Sequence, residues 1–292
     1  MISINQMLAN AEKGVYAVGA FSPRYTPVIR AVLRAGQNLK SPLIIQIAQV
    51  EFDWYQYGLL DFTKAFIKYM EEDQITIPVG LHLDHSQDLI LIQEAAENGF
   101  TSVMIDASAK ELKENIAVTN TVVAMAHNLG VGVEGELGRI GTGNSIESTS
   151  DEELFTNPDE AKIFVDATHV DALAVSVGTA HGVYNVREPR IDLERLQAIR
   201  ARTKVPLVLH GGSGTPANLV RKAIQLPGGG VSKINIATDL ELGLLAALGR
   251  NKPMTNQELL SLPQAELEKG LQAVQRVVED KMTNFLGSVG KA

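Results

Sequence analysis

Short runs rich in Val, Ile and Leu alternate with longer stretches of helical period along almost the whole chain. The runs at residues 15–21, 43–47, 77–85, 101–105, 131–136, 172–175, 205–209 and 231–236 read as buried strands, too short and too β-branched for core helices. Between and after them, residues 27–37, 62–70, 86–98, 113–129, 158–167, 193–202, 216–225 and 239–248 carry the spacing of amphipathic helices, with Pro158 suited to a first helical turn. Strands that alternate with helices must run parallel, because each crossover returns the chain to the same edge. Eight such units predict an α/β protein of one domain over residues 1–292, a closed (β/α)8 TIM barrel. A doubly wound sheet is the alternative, but the first run is not followed by a glycine-rich phosphate fingerprint. Residues 256–285 add helices at the C-terminus, with Leu259, Leu260, Leu267, Leu271, Val274 and Val278 forming a stripe that packs on the barrel or on a partner subunit.

Composition narrows the partners. Of 292 residues, 45% are hydrophobic and 21% charged, the balance of an ordinary soluble protein with ample core. A net charge of −8 and no Lys/Arg cluster argue against a nucleic-acid partner. There is no cysteine, so a metal would be held by histidines and carboxylates. Neither a leader pattern at Met1–Asn5 nor an apolar run near the ~20 residues of a membrane span is present, so a cytoplasmic protein without a membrane partner is expected.

The polar residues that punctuate the strands carry the chemistry. Asp84, His85, Asp106, Glu134, Glu136, His181, His210 and Asn235 all read as lying at or just beyond C-terminal strand ends, the rim where barrel active sites form. A lone histidine there is usually structural; three, with carboxylates beside them, make a candidate catalytic zinc set that leaves a position open. His82, His127 and His169 fall within a strand, within a helix and before a strand, and are assigned structural roles. Gly211-Gly212-Ser213-Gly214 after the seventh run and Ile236-Ala237-Thr238 after the eighth suit a phosphate, since these two loops often cradle one. Gly228-Gly229-Gly230 precedes the eighth run, on the opposite rim, and reads as a turn. A metal beside a phosphate site suggests polarising an oxygen of a sugar phosphate, with Asp84 placed to move a proton. Arg24 reads either as reaching the distal, anionic end of that substrate or as a solvated arginine at a helix start.

Six ordered motifs then resemble one family: Leu-His-Leu-Asp-His, Ser-Val-Met-Ile-Asp-Ala-Ser, Glu-Gly-Glu-Leu-Gly, Gly-Thr-Ala-His-Gly-Val-Tyr, Leu-His-Gly-Gly-Ser-Gly and Lys-Ile-Asn-Ile-Ala-Thr-Asp. In this order the chain resembles the class II, zinc-dependent ketose-bisphosphate aldolases over nearly its full length. The resemblance implies His85, His181 and His210 as zinc ligands, Asp84 as the proton carrier at the C4 oxygen, and Asp106 and Glu136 at a second or displaced metal position. It implies Gly182, Gly211, Ser213 and Thr238 in the region of dihydroxyacetone phosphate and a monovalent cation, Na+ or K+, and Asn235 as a substrate-contacting amide. The reaction implied is reversible cleavage of fructose or tagatose 1,6-bisphosphate between C3 and C4, in a homodimer or homotetramer.

The departures bear on substrate. Where the family usually carries Lys after its His-Gly-x-Tyr motif this chain has Asn185, with Arg187 two residues on. Ser22-Pro23-Arg24 replaces a usual Asn, Ala48 a usual Ser, and Ser86 the usual Gly after Asp-His. The loop glutamate that serves as base at C3 falls near Gly143-Asn144, leaving Glu147 as the nearest candidate. Alternatives are an aldolase for another ketose 1-phosphate or a phospho-keto-deoxy sugar acid, and a barrel that binds a sugar phosphate without cleaving it.

Overall fold

The computed structural model describes residues 2–142, 154–182 and 188–292. The chain begins with a helix, α1 (Ile4–Gly14), absent from the sequence reading, and then enters β1 (Val18–Phe21). Ser3 caps α1, and Val15, read as the start of the first strand, instead ends the helix in the left-handed region. The succession continues as α2 (Val28–Leu39), β2 (Leu43–Ala48), α3 (Gln49–Tyr55), α4 (Leu59–Glu72), β3 (Val79–Ser86), α5 (Leu89–Glu97), β4 (Ser102–Ile105), α6 (Leu112–Asn128) and β5 (Gly132–Leu137). It is completed by β6 (Gly141–Thr142), α7 (Pro158–Thr168), β7 (Ala172–Val175), β8 (Ala180–His181), α8 (Leu193–Arg202), β9 (Leu207–Leu209), α9 (Ala217–Ile224) and β10 (Val231–Ile236). Four more helical pieces end it: α10 (Thr238–Ala247), α11 (Asn256–Leu260), α12 (Gln264–Asp280) and a π-helical turn, Lys281–Leu286.

The eight long strands close into one parallel barrel in the order β1-β10-β9-β7-β5-β4-β3-β2, as the alternation of the sequence predicts. Among the described residues the extra strands β6 and β8 pair only with each other, Gly141 with Ala180 and Thr142 with His181. Two residues per strand leave no periodicity to read.

A strand turns successive side chains to opposite faces, so one set from each strand fills the barrel and the other meets the helices. Ile44, Met104, Ala172, Ala174 and Val208 form an interior apolar layer with Val18 and Ala20, and α1 plugs it from below with Ile4, Met7, Leu8 and Ala11. The outer core lies between strands and helices and includes Leu43, Ile45, Ile47, Leu81, Leu83 and Phe164. Alternation then places polar residues in the upper interior. Gln46 pairs in register with His82, Ala48 with Asp84, Glu136 with Ala174, and Asn235 with Ala20. The C-terminal helix α12 lies across α2 and α10 of its own chain, and Leu286 O accepts the Ala17 N–H at 3.1 Å, tying the end of the chain to the first strand. Among the described residues no helix is long and apolar enough to cross a membrane.

Candidate active site

At the C-terminal rim the strand ends surround a cleft of about 760 Å3 lined by Asp84, His85, Asp106, Glu136, His181, Gly182, Gly211, Ser213, Asn235, Thr238 and Arg24. His210 lies just beneath it, with no exposed surface. Of the residues singled out in the sequence, these are brought together; Glu147, Asn185 and Arg187 lie outside the described residues. Glu134, read as a strand-end group, is instead the third residue of β5 and is sealed inside the barrel.

Asp84 and His85 are consecutive, and a regular strand would turn them to opposite faces. The ladder between β3 and β4 slips between Leu83 and Ser86, and His85 adopts φ 35°. A bulge of this kind re-aims one side chain, and here it lets both neighbours line the cleft. Ser86, where the family usually has Gly, holds the bulge by donating from Oγ to Gln49 Oε1 at 2.9 Å.

His181 arrives from β8 and His210 from the end of β9, and their rings stand 4.9 Å and 4.6 Å from that of His85. Ring nitrogens of the three converge within 4.8 Å of one another, and a second set, His85 with Asp106 and Glu136, shares the same imidazole. Asp106 Oδ2 lies 3.0 Å from His85 Nδ1, and Glu134 Oε1 lies 2.8 Å from His210 Nε2. Carboxylates that hold the outer nitrogens as N–H leave the inner ones as lone pairs. The inner pair, His85 Nε2 and His210 Nδ1, are 2.7 Å apart, a distance two bare lone pairs would resist and a shared cation or proton relieves. Glu136 Oε2 is buried without a hydrogen-bond partner among the described residues and sits 3.8 Å from His85 Nδ1.

The electrostatics agree. Burial disfavours a charged His85, but Asp84, Asp106 and Glu136 outweigh it and raise its pKa to about 10. Burial, aided by the charge on His85, pushes His181 and His210 well below the usual histidine range. Glu136 is pushed up to about 8, first by burial and then by Asp106, with His85 opposing. One positive charge among three imidazoles is therefore favoured, and the donor set fits a divalent ion.

Asp84 is raised by burial, with His85 and Lys233 opposing. Its oxygens accept from Asn235 Nδ2 at 3.1 and 3.2 Å and from Gln46 Nε2 at 3.0 Å. Asn235 in turn accepts from Lys233 Nζ at 2.8 Å, and the same ammonium donates to Glu134 Oε2 at 2.8 Å. The sequence reading missed Lys233 and Gln46. A lysine in mid-strand, on the same face as Asn235, was the available signal for a paired charge inside the barrel.

Ser213 Oγ accepts from the Ala237 and Asp239 N–H groups, both at 3.2 Å, at the N-terminus of α10. Gly211 (φ 69°) and Gly182 (φ 89°) flank this corner, where a helix N-terminus and glycine backbone favour an anion. His82 sits inside the barrel with Nδ1 2.8 Å from Ser102 Oγ, and the exposed His127 pairs with Asp171 at 2.8 Å. His169 caps α7. None of these three lines the cleft.

The chain is similar to several known proteins. Residues 2–291 match the family model described as class-II fructose-bisphosphate aldolase. A fructose-bisphosphate aldolase of Helicobacter pylori (strain ATCC 700392 / 26695) is 35% identical over 312 residues, covering 100% of this chain and 99% of the relative. A sulfofructosephosphate aldolase of Alkalicoccus urumqiensis is 42% identical over 243 residues, 82% of each chain. Among solved structures, the YdjI aldolase of Escherichia coli K12 superposes with a TM-score of 0.81 at 30% identity, over 100% of this chain and 99% of that one. A closed parallel barrel, convergent histidines and a full-length family match lead to one conclusion: the chain belongs to the class II fructose-bisphosphate aldolase family and is an aldolase, a carbon–carbon lyase.

Proposed function

We propose that the protein catalyses reversible, zinc-dependent aldol cleavage of a ketose 1-phosphate between C3 and C4, releasing dihydroxyacetone phosphate and an aldehyde. The observation that carries this reading is the convergence of three imidazoles beside Asp84, with a phosphate-suited helix N-terminus across the same cleft.

His85, His181 and His210 would hold the metal, and Asp106 and Glu136 would orient His85 or offer a displaced position. A Zn2+ ion bound there supplies Lewis acidity to substrate oxygens. Asp84, buried and raised, holds the proton exchanged with the C4 oxygen, and Asn235 and Gln46 fix its direction. Gly182, Gly211, Ser213 and Thr238 receive the phosphate of the three-carbon half, and the same region would hold a monovalent cation, Na+ or K+. Glu147 is the base at C3. A homodimer or homotetramer in the cytoplasm belongs to the same proposal.

Fructose and tagatose 1,6-bisphosphates are the substrates implied by the family. The relative that is 42% identical is named for a sulfonated fructose phosphate, which supports a second reading in which only the distal group differs. Coupled detection of triose phosphate from both bisphosphates and both 1-phosphates, with chelator and zinc add-back, tests the proposal. Zinc-dependent release from at least one is expected; no release from any, with zinc bound stoichiometrically, would contradict it.

A further inference from the structure

Beyond Asp84 the cleft runs along the ends of β1 and β2 and over α3, past Ser22, Arg24, Ala48 and Trp54. Under the aldol reading, on which this inference rests, the half of the substrate that leaves as aldehyde occupies this stretch.

Arg24 is no solvated helix-start residue: its side chain is only 14% exposed, and it takes φ 64°, a conformation side chains rarely adopt. Tyr57 Oη donates to its carbonyl at 2.7 Å. Its Nε donates to Glu51 Oε1 at 2.9 Å, and its Nη1 to Glu241 Oε2. Glu241 also accepts from Tyr25 Oη at 3.0 Å and Tyr55 Oη at 2.9 Å, and Glu51 Oε2 accepts the Ala48 N–H at 3.0 Å. One guanidinium is thus fixed between the buried Glu51 and the half-buried Glu241, a group of formal charge −1. A lone arginine would draw in a second phosphate, but here the field of two carboxylates opposes a dianion in a poorly solvated wall. Arg24 is also part of the cleft lining, and the guanidinium N–H groups not taken by the two carboxylates can donate to a neutral oxygen.

A second observation is independent of charge. Gln46 is 1% exposed and lines the same cleft. Its Nε2 donates to Asp84 Oδ2 at 3.0 Å and to Ser22 Oγ at 3.2 Å, which settles the amide orientation. Its Oε1 is buried and has no hydrogen-bond partner among the described residues. A buried acceptor is satisfied by an O–H. A hydroxyl of the aldehyde half supplies one.

We infer that the distal half of the substrate is an uncharged polyol: the chain joins dihydroxyacetone phosphate to unphosphorylated hydroxyaldehydes, Arg24 and Gln46 reading their hydroxyls and Glu51 and Glu241 excluding a second phosphate. In the condensation direction C3 of dihydroxyacetone phosphate loses a proton, the C3–C4 bond forms at the aldehyde carbon, and that carbonyl oxygen takes up a proton. No co-reactant is needed.

The test uses the full-length, zinc-loaded protein with dihydroxyacetone phosphate and three aldehydes: glyceraldehyde, glyceraldehyde 3-phosphate and a three-carbon hydroxyaldehyde sulfonate. Expected is a kcat/KM for glyceraldehyde at least tenfold above that for either anion. Glu51→Gln, or Glu241→Gln if the first does not fold, should narrow that ratio severalfold by improving the anionic aldehydes. An anionic aldehyde used as well as or better than glyceraldehyde overturns the inference. Deuterium exchange at C3 of dihydroxyacetone phosphate, measured alongside, separates the two levels: exchange with a preference for anions overturns only this inference, and no exchange with no condensation overturns the aldol reading as well.

Discussion

Lys233 Nζ donates to Glu134 Oε2 at 2.8 Å inside the barrel, where neither side chain has any exposed surface. The pair stands behind His210 and Asp84 at once. Glu134 meets the outer nitrogen of His210, and Lys233 meets the Asn235 that holds Asp84. Lys233→Met leaves an uncompensated carboxylate, and we expect a loss of about 3–5 kcal/mol in stability by urea unfolding. A weakening of zinc binding of roughly 10–100-fold should accompany it in competition titrations, because Glu134 is then free to reorient His210. Unchanged zinc affinity would show that the ligand geometry is set without this pair.

Gly211 and Gly228 both have positive φ, 69° and 81°, but only one is crowded. A Cβ on Gly211 would stand 2.3 Å from Ala180 O, the residue before His181; one on Gly228 would meet nothing within 4 Å. Gly211→Ala is expected to cost about 2–4 kcal/mol and to lower zinc affinity by displacing His181, whereas Gly228→Ala should cost about 1–2 kcal/mol and leave zinc binding intact. Equal stability of the two variants would count against the close approach of the strand ends.

Asp73, at the end of α4, accepts from two arginines of α2, Arg30 Nη2 at 2.7 Å and Arg34 Nε at 2.8 Å. The hydrogen bond from Arg30 is the chief cause of a pKa lowered to about 2. A carboxylate depressed in the folded state stabilises it fully above its unfolded value, near 4, and loses that contribution as pH falls toward 2. By urea unfolding, the stability of the native protein should therefore exceed that of Asp73→Asn by a constant margin, on the order of 1 kcal/mol, from pH 7 to about 4.5. Below pH 4 the margin should narrow. A margin independent of pH would assign the effect to packing.

The barrel was legible because eight apolar runs and their helices repeat one local pattern, and the site because barrel topology sends every strand end to the same rim. His181 and His210 are followed by Gly182 and Gly211, and Asp84-His85 by the polar Ser86-Gln87-Asp88, which mark those ends. What escaped has physical causes. Helix α3 is only seven residues long, too short to show a period, whereas α1 carries Ile4, Met7, Leu8 and Ala11 at a spacing that the sequence does show. Glu134 reads as a strand-end group because it shares the polar end of its run with Glu136; its partner Lys233 lies 99 residues away, and only barrel closure brings them together. Arg24 was ambiguous for the same reason, since Glu241, which fixes it, is 217 residues distant.

The most direct test of the central claim compares triose phosphate release by the native protein, stripped of metal and reloaded with zinc, with that of Asp84→Ala reloaded to the same zinc content. The native protein should cleave a ketose 1-phosphate only after reloading, and the variant should bind zinc equally yet lose at least a hundredfold in kcat. Cleavage that persists in the variant, or that is indifferent to zinc, would contradict the assignment of the histidine cluster and Asp84 as the working centre.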